Sequence, residues 1–325
     1  MRIFFIPLSA FVFLLGGACG IKAQEAGDFT PSGSPVVVLF ADYTAGGPGE
    51  AAGFSLTRSR LGYRYRATPS LSGVSVLDIN ATQNGRGVNF HYAFLEWTRK
   101  KLSLSGGLVA LAQFGVQEAF WGRRYVEKSF QDLYGFGPDS DLGVTLRYRF
   151  SSRFEADAAL VNGKDVANAS GGVRLNRLAL GATLGPLTGL TLRAYFDTNR
   201  HSDLSIHVPA GENPAYEGQE TTLALFAGYR NRHFSLGSEW NYRQAQDFIS
   251  GDNRSGLSLY GGLPLGQKFD LYARYDRLDT DEATFITGLE YHPTGNLQLS
   301  PNYRYLRSLG GEGFHLFALN IGFSL

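Results

Sequence analysis

Apolar and polar residues alternate one for one along most of the chain, and this pattern limits the fold more than any other feature. Phe317, Leu319, Ile321, Phe323 and Leu325 fall on one face of the last segment, and Ala318, Asn320, Gly322 and Ser324 on the other. Phe269, Leu271, Ala273 and Tyr275 alternate with Asp270, Tyr272, Arg274 and Asp276. The same rhythm runs through Val144–Phe150, Leu190–Asp197 and Phe234–Arg243. A strand turns successive side chains to opposite faces, so a period of two predicts strands with one apolar face. No helical period competes over comparable lengths.

Sixteen segments carry the pattern: 35–43, 53–66, 71–79, 89–99, 102–114, 142–150, 154–162, 172–184, 190–198, 221–229, 234–244, 255–263, 269–278, 284–292, 297–306 and 314–325. From the second onward every other link is short, as at Arg99–Lys101, Ser151–Arg153 and Pro293–Asn296. The intervening links are mostly longer, notably 115–141 and 199–220. Short turns on one rim and long loops on the other are the topology of outer-membrane barrels, and an even strand count returns both ends to the short-turn side.

Alternation alone also fits a soluble sandwich, whose apolar face packs on a core. Three features favour a membrane barrel. The final segment keeps its apolar alternation to the last residue. Aromatic residues such as Tyr63, Tyr65, Trp97, Tyr148, Phe150, Trp240, Tyr242, Tyr303 and Tyr305 gather near segment ends, where interfacial girdles lie. Sixteen strands also enclose a lumen too wide for side chains to fill. Inward Arg, Glu and Asp can then stay hydrated, whereas each unpaired charge in a dry core would cost several kcal/mol, roughly. The 41 glycines and 14% aromatics agree with a barrel. In hydrocarbon nothing satisfies an open sheet edge, so the first strand, with its apolar run Val36–Phe40, is expected to pair with the sixteenth.

A net charge of +1 argues against a dedicated nucleic-acid binder. Residues 1–23 read as a secretory signal: a basic Met1-Arg2, an apolar stretch from Ile3 to Gly17, and a small-residue cleavage site at Ile21-Lys22-Ala23. The alternative is lipidation with cleavage before Cys19. Residues 24–34 read as a short lead-in, and 35–325 as one barrel domain.

The stretch Trp121-Gly-Arg-Arg-Tyr-Val-Glu-Lys-Ser-Phe-Gln-Asp-Leu-Tyr-Gly-Phe-Gly, followed by Ser140-Asp-Leu-Gly-Val, resembles the phosphate-selective porin O and P family, in particular its porin-like members of the Bacteroidetes type. Asn162-Gly163, Arg274-Tyr-Asp, Tyr291-His-Pro and Leu299-Ser-Pro-Asn-Tyr are similar to that family's pattern too. The resemblance implies a sixteen-stranded, trimeric porin of the bacterial outer membrane whose third outer loop folds inward. The longest link found above is that third outer one. Phosphate selectivity is not carried over, because the chain has six Lys in all and no match to the family's lysine cluster.

An inward third loop would place Arg123, Arg124, Glu127, Lys128 and Asp132 at a constriction, where charge sets ion preference. Arg58, Arg60, Arg147, Arg149, Arg193 and Arg274 are expected on the pore wall, among inward acids such as Glu155, Asp157 and Glu239. Trp121, Phe130 and Tyr134 are read as anchors of the loop. The acidic turn Asp279-Thr-Asp-Glu282 lacks EF-hand spacing and reads as solvated, as do Asp139 and Asp141. The six His show no zinc spacing, and no metal, cofactor or catalytic residue is expected. The expectation is a non-enzymatic diffusion channel for small hydrophilic solutes or ions, with an anion preference, surrounded by outer-membrane lipid. The alternatives are a structural or adhesive barrel plugged by its loops, and an outer-membrane barrel enzyme with a Ser-His pair on its wall.

Overall fold

The computed structural model describes residues 29–47, 52–82, 85–163, 175–201 and 218–325. The signal segment 1–23 lies outside them. Sixteen antiparallel strands close into one barrel. They are β1 (Ser32–Gly46), β2 (Gly53–Arg66), β3 (Leu71–Thr82), β4 (Gly85–Arg99), β5 (Leu102–Ala110), β6 (Ser140–Arg149), β7 (Phe154–Val161) and β8 (Leu175–Leu184). The second half comprises β9 (Leu190–His201), β10 (Gln219–Arg230), β11 (Ser235–Gln244), β12 (Arg254–Pro264), β13 (Phe269–Leu278), β14 (Ala283–Thr294), β15 (Leu297–Arg307) and β16 (Phe314–Ser324). Each strand pairs with its sequence neighbours, and β1 closes on β16 in a register running from Val38 opposite Ser324 to Gly46 opposite Leu316. The expected closure is therefore present, and among the described residues each strand has a partner on both sides.

The alternation resolves into an outside and an inside. Leu225, Leu236, Leu257, Leu259, Leu271 and Phe317 are exposed on the outer wall. Their neighbours Ala224, Phe226, Ser258, Tyr260, Tyr272 and Ala318 are buried within. So large a belt of exposed leucine and aromatic side chains would aggregate in water, whereas hydrocarbon solvates it.

Several boundaries differ by a few residues from the sequence reading, and two of these differences have a clear physical reason. β1 begins at Ser32, within the segment read as lead-in, because Ser32–Pro35 pair with Arg66–Tyr63 of β2. Backbone pairing supplies that extension without an apolar pattern. β5 ends at Ala110 rather than 114, since Ala110 lies opposite Ser140 and the following residues have no ladder partner. The chain instead turns into α1 (Ala112–Trp121), which stops at Gly122. That glycine has φ 71°, and its N–H bonds the Glu118 carbonyl at 2.9 Å. The left-handed conformation there is one that glycine adopts without strain. Of the eighth segment, 172–174 lies outside the described residues.

Candidate pore lumen and its inward loop

Between β5 and β6 the chain forms α1, an irregular stretch 122–129, and α2 (Phe130–Leu133). The Leu111 N–H donates to the Asp139 carbonyl at 2.9 Å and ties the two ends of this excursion together. The loop lies inside the barrel. Trp121, Tyr125 and Val126 form an apolar cluster with Phe226, Tyr260, Tyr272 and Ile286, which are inward residues of β10, β12, β13 and β14. Phe130 and Phe136 form a second with Leu278. Trp121 meets the rings of Tyr260 and Tyr272 edge-on, with centroids 5.5 and 5.9 Å apart. Inward glycines make room: a Cβ on Gly228 would sit 2.6 Å from the Phe120 ring, one on Gly256 2.6 Å from the Phe130 ring, and one on Gly322 2.7 Å from the Tyr125 ring.

Polar contacts fix the register of loop against wall. Arg304 bonds the Glu127 carboxylate at 2.9 Å and the Val126 carbonyl at 2.7 Å. Arg274 donates to the Lys128 carbonyl at 2.6 Å, Gln131 to Asn241 at 2.6 Å, and Tyr134 to Thr284 at 2.9 Å. The Tyr125 hydroxyl donates to Glu290 at 2.9 Å. Burial, reinforced by that carboxylate, pushes the Tyr125 hydroxyl well above the usual phenol range.

The loop charges separate into two groups. Arg123 and Glu127 face the wall. The Arg123 Nε lies 2.8 Å from Glu290, and its guanidinium sits 4.9 Å from the Tyr272 ring centre. Glu127 is held by Arg304. Both are anchors, their charge neutralised in place. Arg124, Lys128 and Asp132 form the other group: Arg124 pairs with Glu118 and Asp132, and the Lys128 ammonium lies 3.8 Å from Asp132. Burial alone would lower the Arg124 pKa, but the Glu118 and Asp132 carboxylates outweigh it and raise it. Burial likewise opposes ionisation of Asp132, and Arg124 and Lys128 outweigh it, holding that carboxyl below its ordinary value. Arg58 of β2 is within electrostatic range of Arg124 and of its neighbour Arg60, and Arg60 bonds Asp78 at 3.0 Å.

The wall arginines also divide. Arg274 is buried with Asp276 at 2.7 Å, and Arg193 with Asp157 at 2.8 Å. Arg177, Asp197, Glu220 and Arg243 make a buried network with contacts of 2.7–3.0 Å. By contrast the Arg147 and Arg149 side chains are 55% and 65% exposed and reach Glu155 only at 3.5 and 3.4 Å. Arg64 and Arg66, inward neighbours of the lipid-facing Tyr63 and Tyr65, are exposed as well. The loop thus covers the β10–β16 side of the lumen, and the hydrated wall charges lie on β2 and β6.

Sequence reasoning did not single out Tyr125, Phe226, Tyr260 or Ile286. For three of them the signal was local loss of alternation: Phe226 follows Leu225, Tyr260 follows Leu259, and Ile286 follows Phe285. The acidic turns serve the backbone. Asp279 accepts the Ser255 N–H at 2.8 Å, and Asp141 accepts those of Leu142 and Gly163 at 2.7 Å. Among the described residues one group could hold a metal ion: Asp270, Glu290 and His292 each bring a ligand atom within 4.8 Å of the others. Chain spacing did not reveal it, because Asp270 and Glu290 meet only through the β13–β14 register. Arg123 and Tyr125 already engage both Glu290 oxygens.

No family model matches the sequence. No curated protein matches it either. Solved structures do. The chain is similar to an anion-selective porin from Comamonas acidovorans, with 12% identity, a TM-score of 0.67, and coverage of 91% of this chain and 100% of that one. It is similar to the outer-membrane protein OmpT of Vibrio cholerae, with 14% identity, a TM-score of 0.64, and coverage of 92% and 99%. Salmonella typhi OmpF in complex with daunomycin gives 13% identity, a TM-score of 0.62, and coverage of 91% and 97%. At these identities the likeness establishes the fold alone, a closed sixteen-stranded antiparallel barrel.

Proposed function

We propose that this chain forms a water-filled pore in a bacterial outer membrane, through which small hydrophilic solutes and ions diffuse with a preference for anions. One observation carries the reading: the charges left hydrated inside the barrel are mostly cationic. Arg64, Arg66, Arg147, Arg149 and Lys128 are exposed, while the buried Asp197, Glu220, Asp276 and Glu290 each pair with an arginine. A low-dielectric wall focuses the field of such residues on the aqueous path. The reading includes a homotrimer and membership of the phosphate-selective O and P group in its wider, porin-like sense. Both rest on the resemblance of residues 121–144.

The purified protein in a planar bilayer tests this. Stable ohmic conductance with a reversal potential on the anion side is expected in a salt gradient. Arg147→Gln with Arg149→Gln should move that potential toward the cation side. Absence of conductance would favour a barrel plugged by its loop, a reading supported by the two apolar clusters that hold the loop inside.

A further inference from the structure

The two rims of the barrel differ in charge. The seven short turns carry Lys100, Lys101, Arg153, Arg232 and Lys268, and not one Asp or Glu. The opposite rim carries carboxylates at Asp252, Asp279, Asp281, Glu282 and Glu312. Arg232 and Lys268 are exposed. The carboxylate nearest Lys268 in the chain, Asp270, lies opposite the inward Glu290 and contacts His292 at 3.1 Å. The turns bearing Arg232 and Lys268 flank the β11–β12 pair, which by strand spacing puts them about 10 Å apart.

Below these two turns the outer wall has a groove of about 470 Å³. Its floor is one row across the sheet: Gly261 lies opposite Ala273, and Ala273 opposite Thr287. The Thr287 hydroxyl donates to the Tyr272 carbonyl at 3.0 Å, so its polar atom is satisfied by the backbone. Larger side chains bound the row, Leu263 and Leu271 toward the short turns, Leu259, Tyr275 and Phe285 on the far side. Gly261 is three residues from the end of β12 and Ala273 four from the start of β13, which sets the floor roughly 10–14 Å below the turns.

We propose that this place binds one anionic phospholipid of the leaflet at the short-turn rim, with its phosphate against Arg232 and Lys268 and an acyl chain in the groove. The solvent of the outer wall is hydrocarbon, and an apolar depression there is filled by a chain. Two basic residues at its headgroup end, without competing carboxylates, select negative charge. The site lies on the outer wall and is read as lipid retention, so a failure of the pore reading in conductance leaves it standing.

Native mass spectrometry of the folded barrel in detergent tests it, with phosphatidylglycerol and phosphatidylethanolamine of identical chains as probes. We expect phosphatidylglycerol to be retained at a defined stoichiometry and with higher affinity. Arg232→Gln with Lys268→Gln should reduce its affinity about tenfold or more and erase the difference between the two lipids. Ala273→Leu should weaken both lipids by filling the groove, and Thr287→Leu provides a second variant should the first fold poorly. Gly261 is unsuitable, because a Cβ there would lie 2.7 Å from the Ser235 carbonyl oxygen. Lys100→Gln with Arg153→Gln, on other turns, should leave retention unchanged. Equal retention of the two lipids in the wild type, or an equal loss in the Lys100 and Arg153 variant, would overturn the proposal. So would a self-associated species that Ala273→Leu disperses, since that assigns the groove to a second copy of the chain.

Discussion

Arg123 and Arg124 are adjacent in sequence and opposite in role. Arg123 lies between Glu290 and the Tyr272 ring, so its removal leaves a 5% exposed carboxylate without its cation. Breaking a buried pair from one side costs about 3–5 kcal/mol. Arg123→Ala should therefore loosen the loop and raise open-channel noise, with little direct effect on ion preference. Arg124 lies in the field of Arg58, and Arg124→Ala should move the reversal potential toward cations; an unchanged potential would place Arg124 away from the ion path. The neighbouring Asp132 sets a pH limit. Its folded-state pKa is below the unfolded value, so its contribution to holding the loop is complete above the unfolded pKa and is lost as pH falls through the folded one. Conductance should hold through the ordinary carboxylate range and change only in stronger acid, and Asp132→Asn should remove that acid step in recordings made across pH.

At the scale of elements, the loop from α1 to α2 is held by contacts unlike those that make the wall. Truncating a well-packed tryptophan costs about 3–5 kcal/mol, and Trp121 is 2% exposed between Tyr260 and Tyr272. Trp121→Ala should enlarge and destabilise single-channel conductance while the strands stay folded. Gly322→Val should act in the same direction from the wall side, by pushing the Tyr125 ring off β16. Unchanged conductance in both variants would mean the loop does not limit the path. This element also marks where the sequence is legible and where it is not. A strand declares itself in two-residue steps, so all sixteen could be read, and with them the pairing of β1 with β16 that closure requires. The partners of a loop residue lie far away in sequence: Tyr125 meets Glu290 and Asn320, and Gln131 meets Asn241. No local period encodes such contacts. The five loop charges could be read as a set, but which of them turn to the wall depends on Glu290 and Arg304, whose positions only barrel closure fixes.

For the molecule as a whole, closure makes every strand residue either a lipid contact or a lumen contact, and the two should respond oppositely to the same substitution. Leu225 is 53% exposed on the outer face of β10. An arginine near the bilayer midplane costs about 2–4 kcal/mol in a barrel wall, falling toward zero at the interfaces. Thr145, on β6 between the lipid-facing Val144 and Leu146, turns inward beside Arg147. Leu225→Arg should lower the denaturant midpoint of the folded barrel in vesicles and leave its ion preference alone. Thr145→Arg should leave the midpoint nearly unchanged and strengthen anion preference, because it adds a hydrated cation to the exposed arginines of β6. Equal destabilisation by both would mean that the β6 side of the lumen is dry, and the pore would then have to run elsewhere.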